Sequence, residues 1–345
     1  VLTMLLGHEK VSFLHLPTPL EYLPGVSEDL GVQFYIKRDD LTNLGVGGNK
    51  LRKLEYLLKD AQEQGATMLL TLGGAQTNHG RLTAAVAAKY GMKCAIVCVD
   101  DYPGELSANL LLDRLFGAEV ILKHNDGRPE EVQFAETAAQ VKARYEAQGE
   151  KVYEIPVGGS NVEGILGYYE CAMELTKQAH AMGLDDATVY DAVGSIGTYM
   201  GLYCGLKNEG SPLGLVGIAI SPFLEAKEAR IMEYFREVKK TYGLHIDARR
   251  EDFHIEKGYT RGAYNNPCKE VRDAVRYMAG REGIILDPCY TGKAFAGILD
   301  MVREGKIAKG SKLIFLHTGG LPGIYTKHHR VEFEKELMDG VTILD

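Results

Sequence analysis

The stretch Thr67-Met68-Leu69-Leu70-Thr71-Leu72-Gly73-Gly74-Ala75-Gln76-Thr77-Asn78-His79 runs from six strand-forming residues, through a glycine pair, into small hydrogen-bonding residues that open a helix. It reads as one strand-turn-helix unit. Outward from it the same alternation repeats, with strands expected at 94–99, 118–122 and 151–155 and a helical run between each pair. A further strand-like run, 32–37, precedes the unit. A second alternation follows, with strands near 188–193, 214–220 and 312–317 and helices near 162–182, 198–208, 222–241, 268–282 and 292–304. Strands separated by helices imply crossover connections and parallel sheets, so the fold class is α/β, with two wound sheets, two domains and a cleft between them.

Composition narrows the function. A formal charge of -8 argues against nucleic acid or an anionic membrane surface as the main partner. No apolar run is long enough to span a bilayer, and Val1–Lys10 lacks a basic region before its apolar patch, so a cytoplasmic location is expected. The six cysteines are scattered through apolar runs and are expected to be reduced. Cys94 and Cys98 are four apart on one strand, about 13 Å at about 3.3 Å per residue, too far to share a metal. No metal site is expected. The polar stretch 241–264 is the least periodic and reads as an excursion over the surface or the cleft.

Four segments carry chemistry. In Gly47-Gly48-Asn49-Lys50-Leu51-Arg52-Lys53-Leu54-Glu55, Asn49 is placed to cap a helix whose apolar face is Leu51, Leu54, Leu57, Leu58 and Ala61. A lysine in the first turn sits at the positive end of the helix, where its pKa falls and its amine becomes a nucleophile for a carbonyl. The bland alternative makes Lys50, Arg52 and Lys53 a solvated face. The turn Gly194-Ser195-Ile196-Gly197-Thr198 offers backbone amides, two hydroxyls and a helix start to a phosphate. It lacks the lysine of a triphosphate loop and the spacing of a dinucleotide fold, so a phosphate without a nucleotide is expected. Thr77 and Asn78 stand at the mouth of the first unit, where the alternative is helix capping. Thr318 ends a strand, and Tyr290 is either a core ring or a proton donor. A helix-start lysine, one phosphate cradle and an interdomain cleft together point to a cofactor with one aldehyde and one phosphate, which pyridoxal 5'-phosphate satisfies.

These residues resemble the fold-type II pyridoxal-phosphate enzymes of the D-cysteine desulfhydrase and 1-aminocyclopropane-1-carboxylate deaminase family, whose architecture is that of the tryptophan synthase β chain. The resemblance rests on Pro17-Thr18-Pro19-Leu20, Ile36-Lys37-Arg38-Asp39-Asp40, the Lys50 block, Asp287-Pro288-Cys289-Tyr290-Thr291-Gly292-Lys293 and His317-Thr318-Gly319-Gly320. It implies that Lys50 holds the cofactor covalently and Asn78 bonds its ring oxygen. It further implies that Gly194, Ser195, Ile196, Gly197 and Thr198 hold the phosphate, and that Thr318 lies near the pyridine nitrogen. Thr77, Asn78, His79, Tyr264 and Tyr290 are then expected around the substrate, with Lys50, Thr77, Tyr264 and Tyr290 catalytic. It also implies a large cofactor-binding domain of residues 1–48 and 164–345, a small domain of 49–163, and a homodimer.

Departures bear on the substrate. Thr291 stands where the deaminase branch has glutamate and the desulfhydrase branch threonine. Thr77 replaces the usual serine, adding a methyl that could narrow the site, and Leu321-Pro322-Gly323-Ile324 departs from the usual continuation. The expectation is β-elimination from a small amino acid, D-cysteine for preference, giving pyruvate, ammonia and hydrogen sulfide. The alternatives are an L-cysteate sulfo-lyase, for which His79, Arg81 and His317 are the candidate cations, a 1-aminocyclopropane-1-carboxylate deaminase, and a non-catalytic protein that binds the cofactor.

Overall fold

The structure is a computed structural model in which residues 4–344 are described; the first three residues of the N-terminal patch and the last of the C-terminal tail lie outside them. The chain begins with β1 (Leu20–Tyr22), α1 (Pro24–Leu30), β2 (Gln33–Lys37), α2 (Lys50–Glu63), β3 (Met68–Gly73), α3 (Asn78–Lys89) and β4 (Lys93–Val99). It continues with α4 (Ala108–Leu115), β5 (Glu119–Lys123), α5 (Glu130–Glu146), β6 (Val152–Ile155), α6 (Leu166–Ala181), β7 (Thr188–Val193) and α7 (Gly197–Asn208). The last part comprises β8 (Gly214–Ala219), α8 (Glu225–Tyr242), β9 (Ile255–Glu256), α9 (Lys269–Glu282), α10 (Thr291–Arg303), β10 (Lys312–Leu316) and α11 (Lys327–Leu337).

The strands form two sheets, a six-stranded one ordered β1-β2-β10-β7-β8-β9 and a four-stranded one ordered β5-β4-β3-β6. All pairs are parallel except β1 with β2. The expected α/β class with two wound sheets is therefore present. Two strands escape the sequence pattern because they are too short for a period to register. One is β1, three residues after Pro19; the other is β9, two residues inside the polar excursion, which close opposite edges of the larger sheet. Five of the six cysteines are buried, Cys268 is half-buried, and all are free thiols.

Helix α2 lies between layers and positions the site. Leu51, Leu54, Leu57, Leu58 and Ala61 join the core of the smaller sheet, as their spacing predicts. The opposite face is not solvated: Arg52, Lys53, Glu55 and Tyr56 are buried as well. A side chain on Gly167 of α6 would collide with the backbone at Arg52, so only glycine allows the two helices this close. On that face Arg52 and Glu55 have charged partners, as burial demands. Arg52 makes a two-point ion pair with Asp39 at 2.7 and 2.9 Å and also reaches Glu174, which pairs with Lys37. Burial alone would raise the Asp39 pKa, but Arg52 and Lys37 beside it hold it at about 2. Glu55 accepts from Lys10 and from the amides of Phe13 and Leu14, tying the N-terminal segment to the helix.

Candidate active site

The start of α2 is sewn to the end of β10 by close backbone approaches. The Asn49 amide donates to the Thr318 carbonyl at 3.0 Å, and a side chain on Gly319, which has φ +93°, would come within 2.9 Å of Gly48 Cα. Gly47, at φ +74°, leaves no room for a side chain against the Asp40 carbonyl. These contacts bring Lys50 and Thr318 together at the carboxyl end of the larger sheet, where ligands of parallel sheets bind.

Asn49 occupies the capping position, but its backbone is already helical and its side chain does not cap. Its amide instead donates to Thr198 Oγ1 at 3.0 Å, joining the start of α2 to that of α7. Lys50 is half-buried, and its pKa is pulled down to about 8. The chief cause is burial, opposed by the charge of Asp191, rather than the helix end invoked from sequence.

Thr77 is the N-cap of α3, its Oγ1 accepting from the Gly80 amide at 3.2 Å. Its methyl is turned toward Gly80, in a space shared with Ile96, so it packs into the protein instead of narrowing the site. Asn78 Oδ1 accepts from Arg81 Nη1 at 2.9 Å and Asn109 Nδ2 at 3.0 Å. With the oxygen doubly engaged, the Asn78 NH2 group remains as a donor for an anionic ring oxygen.

The 194–198 turn has the features of an anion cradle. Helix α7 has no side-chain cap, and Ile196 before it adopts φ +73°, a conformation costly for a β-branched residue and a mark of functional strain. Ser195 and Ser160 share a hydroxyl hydrogen bond of 2.8 Å. Lys53, fully buried, donates to the Gly158 carbonyl at 3.1 Å, and a side chain on Gly197 would meet its Nζ at 2.7 Å. Amides, hydroxyls and the buried Lys53 amine converge there, a set of groups that fits the phosphate end of pyridoxal phosphate. Lys53 could have been found from sequence, because three residues beyond Lys50 is the same helical face.

Tyr290 leans over the cradle: a side chain on Gly194 would lie 3.1 Å from its ring. Its hydroxyl is 2.7 Å from that of Tyr264, with the rings edge to face. The Tyr264 loop is held from below by buried Lys293, which donates to the Ala263 carbonyl at 2.7 Å and the Ile220 carbonyl at 2.8 Å. A cleft of ≈ 690 Å³ opens between Gly74–Thr77, the 100–107 loop, Tyr264–Asn265 and the start of α11. Thr77 and Tyr264 line it, whereas Lys50 does not.

Several residues singled out in the sequence are directed elsewhere. The His79 ring is 3% exposed and its Nε2 lies 2.8 Å from Thr71 Oγ1, beneath α3 rather than toward the cleft. Burial, with Lys50 and Lys53 adding, keeps it neutral, well below the usual histidine pKa. Arg81 spends its guanidinium on the Gly45 and Gly47 carbonyls and on Asn78 and Asn109. Both His317 nitrogens are engaged, with the Ile285 carbonyl and the Gly319 amide. Thr291 is fully buried, its hydroxyl donating to Asp287 Oδ1 at 2.7 Å, so it does not face the cleft. Among the described residues there is no group of three or more His, Cys, Asp or Glu side chains able to hold a metal, and no helix long and apolar enough to cross a membrane.

The chain matches known proteins along most of its length. Residues 11–319 match the family model described as "Pyridoxal-phosphate dependent enzyme". A D-cysteine desulfhydrase of Yersinia enterocolitica is 39% identical over 340 residues, covering 95% of this chain and 100% of that one. A Pyrococcus abyssi protein named provisionally as a 1-aminocyclopropane-1-carboxylate deaminase is 38% identical over 316 residues, 92% of this chain and 93% of that protein. A crystal structure of a homologue of that deaminase superimposes with a TM-score of 0.85 at 35% identity, over 97% of both chains.

Proposed function

The chain belongs to the pyridoxal-phosphate dependent enzymes, as a lyase of the D-cysteine desulfhydrase and 1-aminocyclopropane-1-carboxylate deaminase group, and we propose that it eliminates hydrogen sulfide from D-cysteine. The balanced reaction is D-cysteine plus water to pyruvate, ammonia and hydrogen sulfide. The observation that carries the proposal is the Tyr264–Tyr290 hydroxyl pair at the cradle, set where the three candidate cations, His79, Arg81 and His317, are all engaged elsewhere. A thiolate leaving group needs one proton, which a hydroxyl pair can deliver. A sulfonate needs cations or several donors, so L-cysteate is disfavoured.

When bound, the cofactor supplies an aldehyde for an amine and a conjugated ring that takes up the electron pair released at Cα. Burial lowers the Lys50 pKa to about 8, which favours the neutral amine, and that amine would be able to take the α-proton. Asn78 would orient the ring through its NH2 group, and Arg81 fixes the direction of that amide. Thr77 keeps its hydroxyl hydrogen free while its oxygen caps α3, which suits it to bind the substrate carboxylate. Thr318 would offer the pyridine nitrogen a neutral group, as the resemblance implies. Burial raises the Tyr290 pKa, so its hydroxyl stays protonated and can donate to the departing sulfur.

A second reading, 1-aminocyclopropane-1-carboxylate deamination, is supported by the Pyrococcus relative. Against it, position 291 offers no carboxylate, and its hydroxyl is turned to Asp287. A panel of D-cysteine, L-cysteine, L-cysteate and aminocyclopropane carboxylate, read by sulfide, sulfite, pyruvate and 2-oxobutyrate, separates the readings. Fastest turnover of D-cysteine with stoichiometric sulfide is expected; preferential 2-oxobutyrate formation would establish the second reading. The same proposal includes a cytoplasmic homodimer and a small domain of residues 49–163, to which β3, β4, β5 and β6 all belong.

A further inference from the structure

Asp191 is a charged residue in the middle of β7, an interior strand of a parallel sheet, where apolar residues are the rule. It is fully buried, and neither carboxylate oxygen has a hydrogen-bond partner among the described residues. An isolated buried carboxylate is costly and demands a reason. Strand alternation supplies its direction. Tyr190 and Ala192 pack with α9 and α10, whereas Val189 and Val193 belong to the core of α6 and α7, so Asp191 faces the side on which α2 lies. The charged and titratable groups facing it there are Lys50 and Lys53 from α2, Asp39 from the turn before α2 and Tyr199 from α7, with His79 of α3 facing the two lysines. Among the described residues Lys53 donates to the neutral Gly158 carbonyl alone, so no direct ion pair compensates the burial of its amine at the cradle.

We propose that Asp191 is a positioning residue for the cofactor, the internal counter-charge that keeps one proton on the Lys50–Lys53 pair. When Lys50 is the neutral member of the pair and reacts with an aldehyde, that charge lets Lys53 hold the remaining proton at the phosphate. The directions agree. Burial lowers both lysine pKa values and Asp191 opposes this in each, while burial raises Asp191 to about 7 and the two lysines oppose that. The inference rests on the reading that places the phosphate at 194–198.

The test uses the full chain freed of cofactor and two probes, pyridoxal and pyridoxal phosphate, with binding followed by the absorbance of the lysine-bound chromophore across pH 6–9. The ratio of the two affinities isolates the contribution of the phosphate. In Asp191→Asn and Asp191→Ala the pH midpoint for pyridoxal capture should move acidward by about one unit, because Lys50 loses the charge that raised its pKa. The phosphate contribution at pH 8 should fall about tenfold or more as Lys53 loses its proton. An unmoved midpoint with an unchanged or larger ratio, the result of simple repulsion between Asp191 and phosphate, overturns the proposal. So does loss of the fold in both variants, which would make Asp191 a structural residue. No phosphate contribution in the unmodified chain would instead refute the placement of the phosphate, and the inference with it.

Discussion

Replacing Gly319 by alanine tests whether Lys50 is held in place by the backbone approach between the Gly47-Gly48 turn and the end of β10. Two costs are expected. A residue with a Cβ at φ +93° is strained by about 1 kcal/mol. The new methyl would also stand 2.9 Å from Gly48 Cα, where backbone must yield, and such overpacking adds about 1–3 kcal/mol. Gly310 provides the control. Its φ is +80° and a methyl there would meet nothing within 4 Å, so Gly310→Ala carries the strain alone. At about 2.1 cal/mol/K of unfolding entropy per residue, a chain of 345 residues loses about 1.4 °C of apparent Tm per kcal/mol. Gly310→Ala should therefore lower Tm by about 1–2 °C and Gly319→Ala by about 3–6 °C. Only the latter should loosen the cofactor, about tenfold or more, because Asn49 and Lys50 move with Gly48. Equal Tm losses, or a Gly319→Ala protein with unaltered cofactor affinity, would refute the idea that this contact positions Lys50.

Lys50→Ala should abolish the visible absorbance band of the bound cofactor while leaving far-UV circular dichroism unchanged; a retained band removes Lys50 from the mechanism. Tyr290→Phe should lower kcat for sulfide release about a hundredfold, with KM changing little, if its hydroxyl protonates the leaving sulfur; chloride elimination from β-chloroalanine should be spared, since that ion leaves unprotonated. Asp39, held near 2 in the fold against its usual 3.8, contributes stability that is present above about pH 4 and lost as pH falls toward 2. Asp39→Asn should accordingly cost about 3–5 kcal/mol at pH 7 by leaving Arg52 short of a partner, and urea midpoints should show the gap to the unmodified chain narrowing between pH 4 and pH 2.5.

The α/β class, the two successive sheets and nearly every helix were legible in the sequence, because strand runs and helical periods are local properties that survive in any packing of this chain. The cofactor was legible for a related reason: a turn that opens a helix offers its amides through the backbone, and a lysine beside a glycine pair stands out in any packing. What tertiary structure decided is where side chains are directed once charged groups are forced inside. Nothing local told Arg52 from a solvated helix face, and the glycine-mediated approach of α6 to α2 buries it. Asn49 capped a helix on paper and bridges to Thr198 in space. His79, Arg81, Thr291 and His317 are polar residues beside glycine turns, the very pattern that suggests a site, yet each meets a buried partner instead. Asp191, an anomaly in its strand, acquires a role only because the fold sets two lysines in front of it. The sequence determined the scaffold and the cofactor, since both depend on backbone pattern. The disposition of charge around them depends on which desolvated groups find one another, and only packing settles that.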